Sequence, residues 1–305
     1  MRQLLLTLSV CAGVFLVSAA PTARQAAPSG GPGLVELDVS VTDKNGPVTD
    51  LRQDDFQISD DGKKVDLKAV TFVAAHGSTT PGDARDVVIV LDDAGVPNAG
   101  TQALQQIATM FAQGAGPGDH VAAIRLHAAT DDLTTNPQMA LARIAAFQAG
   151  TIPFFPGETT EDLLRLVTRL SKQWLELAPH RRKAIVCIGS PAVCGPNERE
   201  SSAPRDEYST WVDAMTAAGR SNVLVYAAIP ARFDLLGGGL VERTGGQAFG
   251  GLSNFLPAVE QVYDDLSQYY MLTYVPAASK KDLRAVSVRV NRKGVTVHAR
   301  NKRGA

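Results

Sequence analysis

Apolar and polar positions along this chain follow three successive patterns. Over residues 34–75 they alternate: Val35, Leu37, Val39 and Val41 are separated by Glu36, Asp38, Ser40 and Thr42. A period of two is that of a strand with one buried face. Asp43-Lys44-Asn45-Gly46 is a turn signal, because Asn and Gly tolerate positive φ. Asp60-Asp61-Gly62 is a second one, between Asp54–Ile58 and the strand-like Val65–Val73. Several short strands joined by acidic turns predict a small β module over 34–75. The polar stretch from His76 to Ala84 predicts a linker.

From residue 85 the alternation stops. Val87-Val88-Ile89-Val90-Leu91 is an unbroken apolar run, the pattern of a strand covered on both faces by helices. His120–Leu126, Lys183–Ile188, Asn222–Ile229 and Tyr269–Val275 predict further strands of this kind. Helical periods lie between them at 103–113, 137–148, 158–177, 205–219 and 254–267. Strands alternating with helices predict an α/β domain over 85–276, built on a doubly wound, mostly parallel sheet. Tyr270, Leu272 and Tyr274 share one face of the last strand, which predicts core packing. The tail alternates again: Val286, Val288 and Val290, a turn at Asn291–Gly294, then Val295, Val297 and Ala299. A β-hairpin over 282–301 is expected to pack on the β module, so that both segments form one small β annex beside the α/β domain.

The first residues change the picture of where the protein works. Arg2 precedes the apolar run Leu4–Val17, and Val17-Ser18-Ala19-Ala20 offers small residues for cleavage. This predicts a signal peptide over 1–20 and a flexible leader over 21–33, hence export to a periplasmic or extracellular location. An uncleaved anchor helix is the alternative. Leu8-Ser9-Val10-Cys11 is a poor lipoprotein box, with Val10 before the cysteine and apolar residues continuing beyond it. No second apolar run is long enough for a bilayer, so no membrane span is expected in the mature chain.

The 305 residues are 45% hydrophobic and 20% charged, with a formal net charge of −1. That balance permits a sizeable core and supplies no basic field for nucleic acid or an anionic membrane. Cys187 and Cys194 stand close in sequence. A disulfide between them and a plain buried-strand role for Cys187 are both open.

Candidate chemistry centres on Asp92 and Asp93, which follow the first apolar run. The carboxyl end of a central strand is where open α/β sheets bind ligands. Gly189-Ser190-Pro191-Ala192-Val193 begins like a hydrolase elbow but ends in Val, and Pro191 removes a backbone donor. His120, His127 and His180 are available bases that nothing in the sequence places beside Ser190. The acidic pairs Asp54-Asp55, Asp60-Asp61, Asp131-Asp132 and Asp264-Asp265 fit solvated turns and caps. Gly237-Gly238-Gly239 lacks the Lys-Ser/Thr of a phosphate loop.

Two sets of residues carry a resemblance. One is Val39-Ser40-Val41-Thr42-Asp43-Lys44-Asn45-Gly46 with Leu51, Asp55-Phe56 and Asp60-Asp61-Gly62. The other is Thr244-Gly245-Gly246-Gln247-Ala248-Phe249 with Tyr269-Tyr270-Met271-Leu272-Thr273-Tyr274-Val275-Pro276. In this order they resemble the bacterial (Acidobacteria-type) von Willebrand factor type A (VWFA)-related domain proteins, over nearly the whole mature chain. The resemblance implies a six-stranded, doubly wound Rossmann-like sheet, no enzymatic activity, and protein binding at a metal-ion-dependent adhesion site (MIDAS).

Such a site takes Asp-x-Ser-x-Ser from a first loop, a Thr from a second and an Asp from a third. Here the first loop is Asp92-Asp93-Ala94-Gly95-Val96, with Ala94 and Val96 in place of the serines. The second, Gly157-Glu158-Thr159-Thr160, keeps a Thr, and the third, Ile188-Gly189-Ser190-Pro191, has no carboxylate. The resemblance therefore implies a degenerate site of Asp92, Asp93, Ala94, Val96, Thr159, Thr160, Gly189 and Ser190. Asp92 and Thr159 are what it leaves as Mg2+ ligands. A weakened site of Asp92, Asp93, Thr159 or Thr160, and Ser190 is the alternative, but the ligand count falls below that of a hard octahedral cation, so no cofactor is expected. Without an ion, Asp92 is expected to cap its own loop or bind backbone amides. The reading is a secreted, non-enzymatic binding protein for an unidentified protein partner. The alternatives are a hydrolase using Ser190 or the carboxylates, and an envelope scaffold.

Overall fold

The computed structural model describes residues 33–74, 84–127, 135–177, 182–194, 205–230, 239–278, 280–281 and 283–304. The signal peptide, nearly all of the leader, most of the linker, Asp131-Asp132, His180 and Gly237-Gly238 lie outside them. Among the described residues no helix is long and apolar enough to cross a membrane.

Five strands form a parallel sheet: β6 (Asp86–Leu91), β7 (His120–Arg125), β8 (Lys183–Ile188), β9 (Val223–Ile229) and β10 (Ala248–Gly250), in the order β10-β9-β8-β6-β7. Every residue of β6, β8 and β9 is buried, as their unbroken apolar runs require. Two cores explain that burial. Val87, Ile89 and Leu91 face α1 (Thr101–Gln113), α2 (Pro137–Ala145) and α6 (Leu256–Ser267). Val88 and Val90 face α3 (Pro156–Leu177), α4 (Arg205–Arg220) and the short α5 (Leu240–Thr244).

The remaining strands are antiparallel. The first sheet runs β13-β1-β11-β5, with β1 (Val35–Asp43), β5 (Leu67–Ala74), β11 (Gln268–Tyr274) and β13 (Thr296–Ala299), and the two-residue β2 (Gly46–Pro47) pairs with the end of β1. The second runs β14-β12-β3-β4, with β3 (Phe56–Asp60), β4 (Lys63–Val65), β12 (Leu283–Val290) and β14 (Lys302–Gly304). Leu37, Val39, Phe56, Ile58, Leu272, Tyr274 and Val286 fill a shared core between them. Tyr270 is its anchor: the hydroxyl donates to the Val48 carbonyl at 2.9 Å and accepts from the Leu51 N–H at 3.0 Å. Its ring lies 5.1 Å from that of Phe56 and 5.0 Å from that of Phe72.

Two sequence expectations change here. The strand at Tyr269–Val275 does not extend the parallel sheet. As β11 it pairs antiparallel with β1 and β5, so the boundary at 276 cuts too late. Tyr270, Leu272 and Tyr274 are buried between the half-buried Tyr269 and Met271 and the exposed Val275, the alternation of a one-sided strand that only the buried Thr273 interrupts. The parallel sheet takes its edge strand from β10, whose three residues follow the tight turn at Gly245-Gly246. The tail is also no hairpin. β12 pairs with β3 and β14, whereas β13 pairs with β1, so the chain crosses from one antiparallel sheet to the other. Each strand completes a different sheet of the sandwich, which buries more apolar surface than a free hairpin.

The two halves meet at a buried polar junction beneath the amino ends of β8 and β9. Arg182, immediately before β8, pairs with Asp38 of β1, and Asn222 also donates to that carboxylate. The Arg182 guanidinium lies 4.0 Å over the Tyr269 ring and donates to the Asp265 carbonyl at 3.1 Å. Arg300, after β13, donates to the Asn222 side chain at 3.0 Å. The Ser40 hydroxyl donates to the Asp265 carbonyl at 3.2 Å. Since α6 runs into β11 without an intervening residue, covalent continuity and this cluster together orient the sandwich.

The junction makes two predictions. Arg182→Ala leaves the Asp38 carboxylate buried without its cation, so it should lower unfolding free energy by about 3–5 kcal/mol in urea titration. Asp265 titrates abnormally: burial pushes its carboxyl from 3.8 up to about 7, against the attraction of Arg182 and the Tyr226 hydroxyl. A raised pKa means that the neutral carboxyl stabilises the fold fully below about pH 4 and that this contribution is lost as pH rises through about 7. Asp265→Asn should therefore gain on the wild type as pH rises, by about 2–3 kcal/mol or 5–10 °C in melting temperature between pH 5 and 8.

Candidate functional site

β6 is the strand from which the connections diverge: β7 lies on one side of it and β8 on the other. In open parallel sheets the ligand crevice lies at the carboxyl ends of such strands. Asp92 and Asp93 occupy that place and are fully buried.

Asp92 closes the crevice. Its Oδ1 accepts from the N–H groups of Ala94 at 3.1 Å and Gly95 at 2.7 Å. Its Oδ2 accepts from the Ser190 N–H at 3.0 Å and from the Ser190 hydroxyl at 2.7 Å. One carboxylate thus caps the loop after β6 and staples it to the loop after β8. Two glycines permit the approach. A Cβ on Gly95 would stand 2.2 Å from Ser190 Oγ, and one on Gly189 would stand 2.1 Å from the Asp92 Cβ.

Asp93 faces a different partner. Its Oδ1 lies 2.6 Å from His127 Nδ1 and accepts from the His127 N–H at 3.3 Å. Its carbonyl accepts from the Thr151 N–H at 3.0 Å. His127 Nε2 in turn lies 3.7 Å from a carboxylate oxygen of Asp162 on α3. The parallel register explains the meeting. Leu91 is level with Arg125, so two residues further on Asp93 is level with His127. Counting both strands in register is the signal by which the sequence could have paired them. It could not have supplied Asp162, whose approach depends on how α3 lies.

The other candidate residues are less exposed to a ligand than their loops suggest. Ala94 is buried, and Val96 packs against the core under α1. Thr159 is buried in the first turn of α3, its N–H held by the Phe155 carbonyl at 2.9 Å, and Thr160 follows it half-buried. Cys187 is buried in the core beneath α3 and α4, and the side chain of Cys194 lies outside the described residues. Ser190 donates to a carboxylate and hydrogen-bonds no histidine among the described residues.

These residues do not fit an octahedral cation. Both Asp92 oxygens are saturated by four protein donors, and the side chains of Ala94 and Val96 carry no oxygen. Among the buried carboxylate oxygens here, Asp93 Oδ2 alone lacks a hydrogen bond. One such oxygen falls well short of the six that Mg2+ coordinates. Among the described residues, no group of three or more His, Cys, Asp or Glu side chains is arranged to hold a metal ion.

No family model matches the chain, and no curated protein matches it. Among solved structures it is similar to the crystal structure of the TFIIH p34 N-terminal domain, at 13% identity and a TM-score of 0.36. That match covers 58% of this chain and 94% of the other, a likeness too weak to bear on function. The chain is a mixed α/β protein with a parallel sheet, an antiparallel sandwich and a carboxylate-stapled crevice.

The staple has a direct test. Gly189→Ala pushes a methyl group into Asp92 and should cost about 1–3 kcal/mol in chemical denaturation, as overpacking does. Asp92→Ala leaves buried donors without an acceptor and should cost a similar amount.

Proposed function

We propose that this chain is an exported, non-enzymatic binding protein whose von Willebrand A-like domain engages a protein partner without a metal ion. In this reading the parallel strands belong to the doubly wound sheet of that fold, six-stranded in its full form. The surface used is the carboxyl end of the sheet. One observation carries the proposal: Phe154 and Phe155 are 41% and 56% exposed on the segment leading into α3. Their place beside the stapled crevice follows from Thr151, which is bound to Asp93. Single exposed apolar residues are ordinary, but two adjacent exposed phenylalanines are a feature of contact surfaces. Leu252 and Leu256, 41% and 49% exposed, follow β10 at the same end of the sheet. The saturated Asp92 carboxylate supports the metal-free form of binding, since an ion there would have to break four hydrogen bonds.

Isothermal titration with Mg2+, Mn2+ and Ca2+ should give no binding heat, and none of the three should raise the melting temperature. Saturable heat that disappears in Asp92→Ala would reverse the metal-free reading. Envelope proteins captured by the wild-type chain should be lost with Phe154→Asp/Phe155→Asp, while stability stays within about 0.5 kcal/mol, as for surface changes generally. Capture unchanged by this double variant would move the contact elsewhere. A hydrolase screen with Ser190→Ala as control tests the rival: turnover lost in that variant would make the protein an enzyme.

A further inference from the structure

His127, two residues beyond the end of β7, is held as metal-binding histidines are held. Its Nδ1 lies 2.6 Å from Asp93 Oδ1, and the Asp93 side chain is fully buried. A carboxylate on one ring nitrogen fixes the tautomer, orients the ring and raises the basicity of the other nitrogen. Nε2 is left with the lone pair, and it faces the Asp162 carboxylate of α3. The two side chains are 13% and 41% exposed, so the imidazole is fixed while the carboxylate stands at the surface.

The gap between them is too long for a hydrogen bond and suits an ion. Nε2 and Asp162 Oδ2 are 3.7 Å apart, beyond hydrogen-bonding range. Zn–N and Zn–O bonds of about 2.0–2.2 Å place two tetrahedral ligands about 3.4 Å from each other. A small side-chain adjustment at Asp162 therefore seats both on one ion. Glu158, one turn earlier on α3, is exposed and an i,i+4 neighbour of Asp162, within reach as a third ligand. Arg165 is held by Glu161 at 2.5 Å and stands 4.0 Å from the other Asp162 oxygen, which leaves Oδ2 to the imidazole. Asp93 Oδ2 has no hydrogen bond among the described residues. That buried carboxylate is short of compensation, and a cation on the imidazole supplies it.

Imidazole combined with carboxylate suits a borderline transition ion, whereas Mg2+ and Ca2+ take oxygen ligands. We propose that His127 Nε2 and Asp162 Oδ2 bind one Zn2+, with Glu158 as third ligand and water completing a tetrahedron. Asp93 is a positioning residue that orients the imidazole from behind. The site is separate from the Asp92 staple, uses neither of that carboxylate's oxygens, and does not depend on the protein-binding reading.

Isothermal titration of the full chain with Zn2+ tests it, with Mg2+ and Ca2+ as controls. One-site saturable binding of Zn2+ is expected, at least a hundredfold tighter than either control. His127→Ala should abolish it. Asp162→Asn should weaken it at least tenfold; the change is at an exposed position, so it keeps the test open should His127→Ala not fold. Asp93→Asn, which keeps the ligands but weakens the carboxylate behind the ring, should cost about 10–100-fold in affinity. His120→Ala removes a half-exposed imidazole beside Asp86 and should change nothing. Absence of saturable Zn2+ binding overturns the proposal. So does binding unchanged in His127→Ala, in Asp162→Asn or in Asp93→Asn. A loss in His120→Ala as large as in His127→Ala would mean an adventitious ion only, and Mg2+ or Ca2+ binding as tightly would mean a hard-cation site; either result also overturns it.

Discussion

A carboxylate removed from water must find donors within the protein, and the Asp92 side chain meets that requirement at the centre of the molecule. β6 is covered on both faces, so the charge that ends it cannot turn to solvent without pulling its loop from the sheet. Four hydrogen bonds from two loops satisfy it. Those bonds hold the β6 and β8 loops together where a parallel sheet ordinarily opens a crevice. Everything at this end of the sheet is arranged around that closure. Gly95 and Gly189 admit the contact, Ala94 and Val96 pack inward, and Asp93 turns to His127.

The other end of the sheet is tied as firmly, by different chemistry. Asp38 and Arg182 are both almost fully buried, and they join strands from the two halves of the molecule. Around them Asn222 adds a hydrogen bond to Asp38, Arg300 binds Asn222, and the Tyr269 ring covers the guanidinium, whose Nε has no hydrogen-bond partner among the described residues. A buried pair of this kind adds less net stability than its attraction implies, because both ions give up their hydration. Its effect is orientation: the outer face of β1 and the amino end of β8 must meet in one register for the charges to pair. The raised pKa of Asp265 reflects the same dry setting.

Much of the fold was legible because the rules that shape it act locally. Unbroken β-branched runs marked β6, β8 and β9, since only strands covered on both faces tolerate them. Alternation marked β1 and grouped Tyr270, Leu272 and Tyr274 on one buried face. β11 was misplaced because an apolar strand after a helix reads the same whether it joins a parallel sheet or pairs across it. β12 and β13 were misread for a related reason: an Asn-Arg-Lys-Gly turn signals a reversal of the chain, not the partner each strand takes. β10 is too short to carry any period.

At the site, the sequence by itself determined which residue types stand at the carboxyl end of β6, and that Ala94 and Val96 after it offer no side-chain oxygen. It also determined that Asp92 would serve its own loop, because an Asp followed by Ala and Gly offers backbone donors within reach. Only the tertiary structure decided that the same carboxylate also binds Ser190, ninety-eight residues away in the chain. It alone placed Asp162 beside His127. Periodicity and capping are settled by neighbours along the chain. Which loops and helices share a crevice is settled by strand order and helix packing, interactions between segments whose separation in sequence carries no record of their meeting.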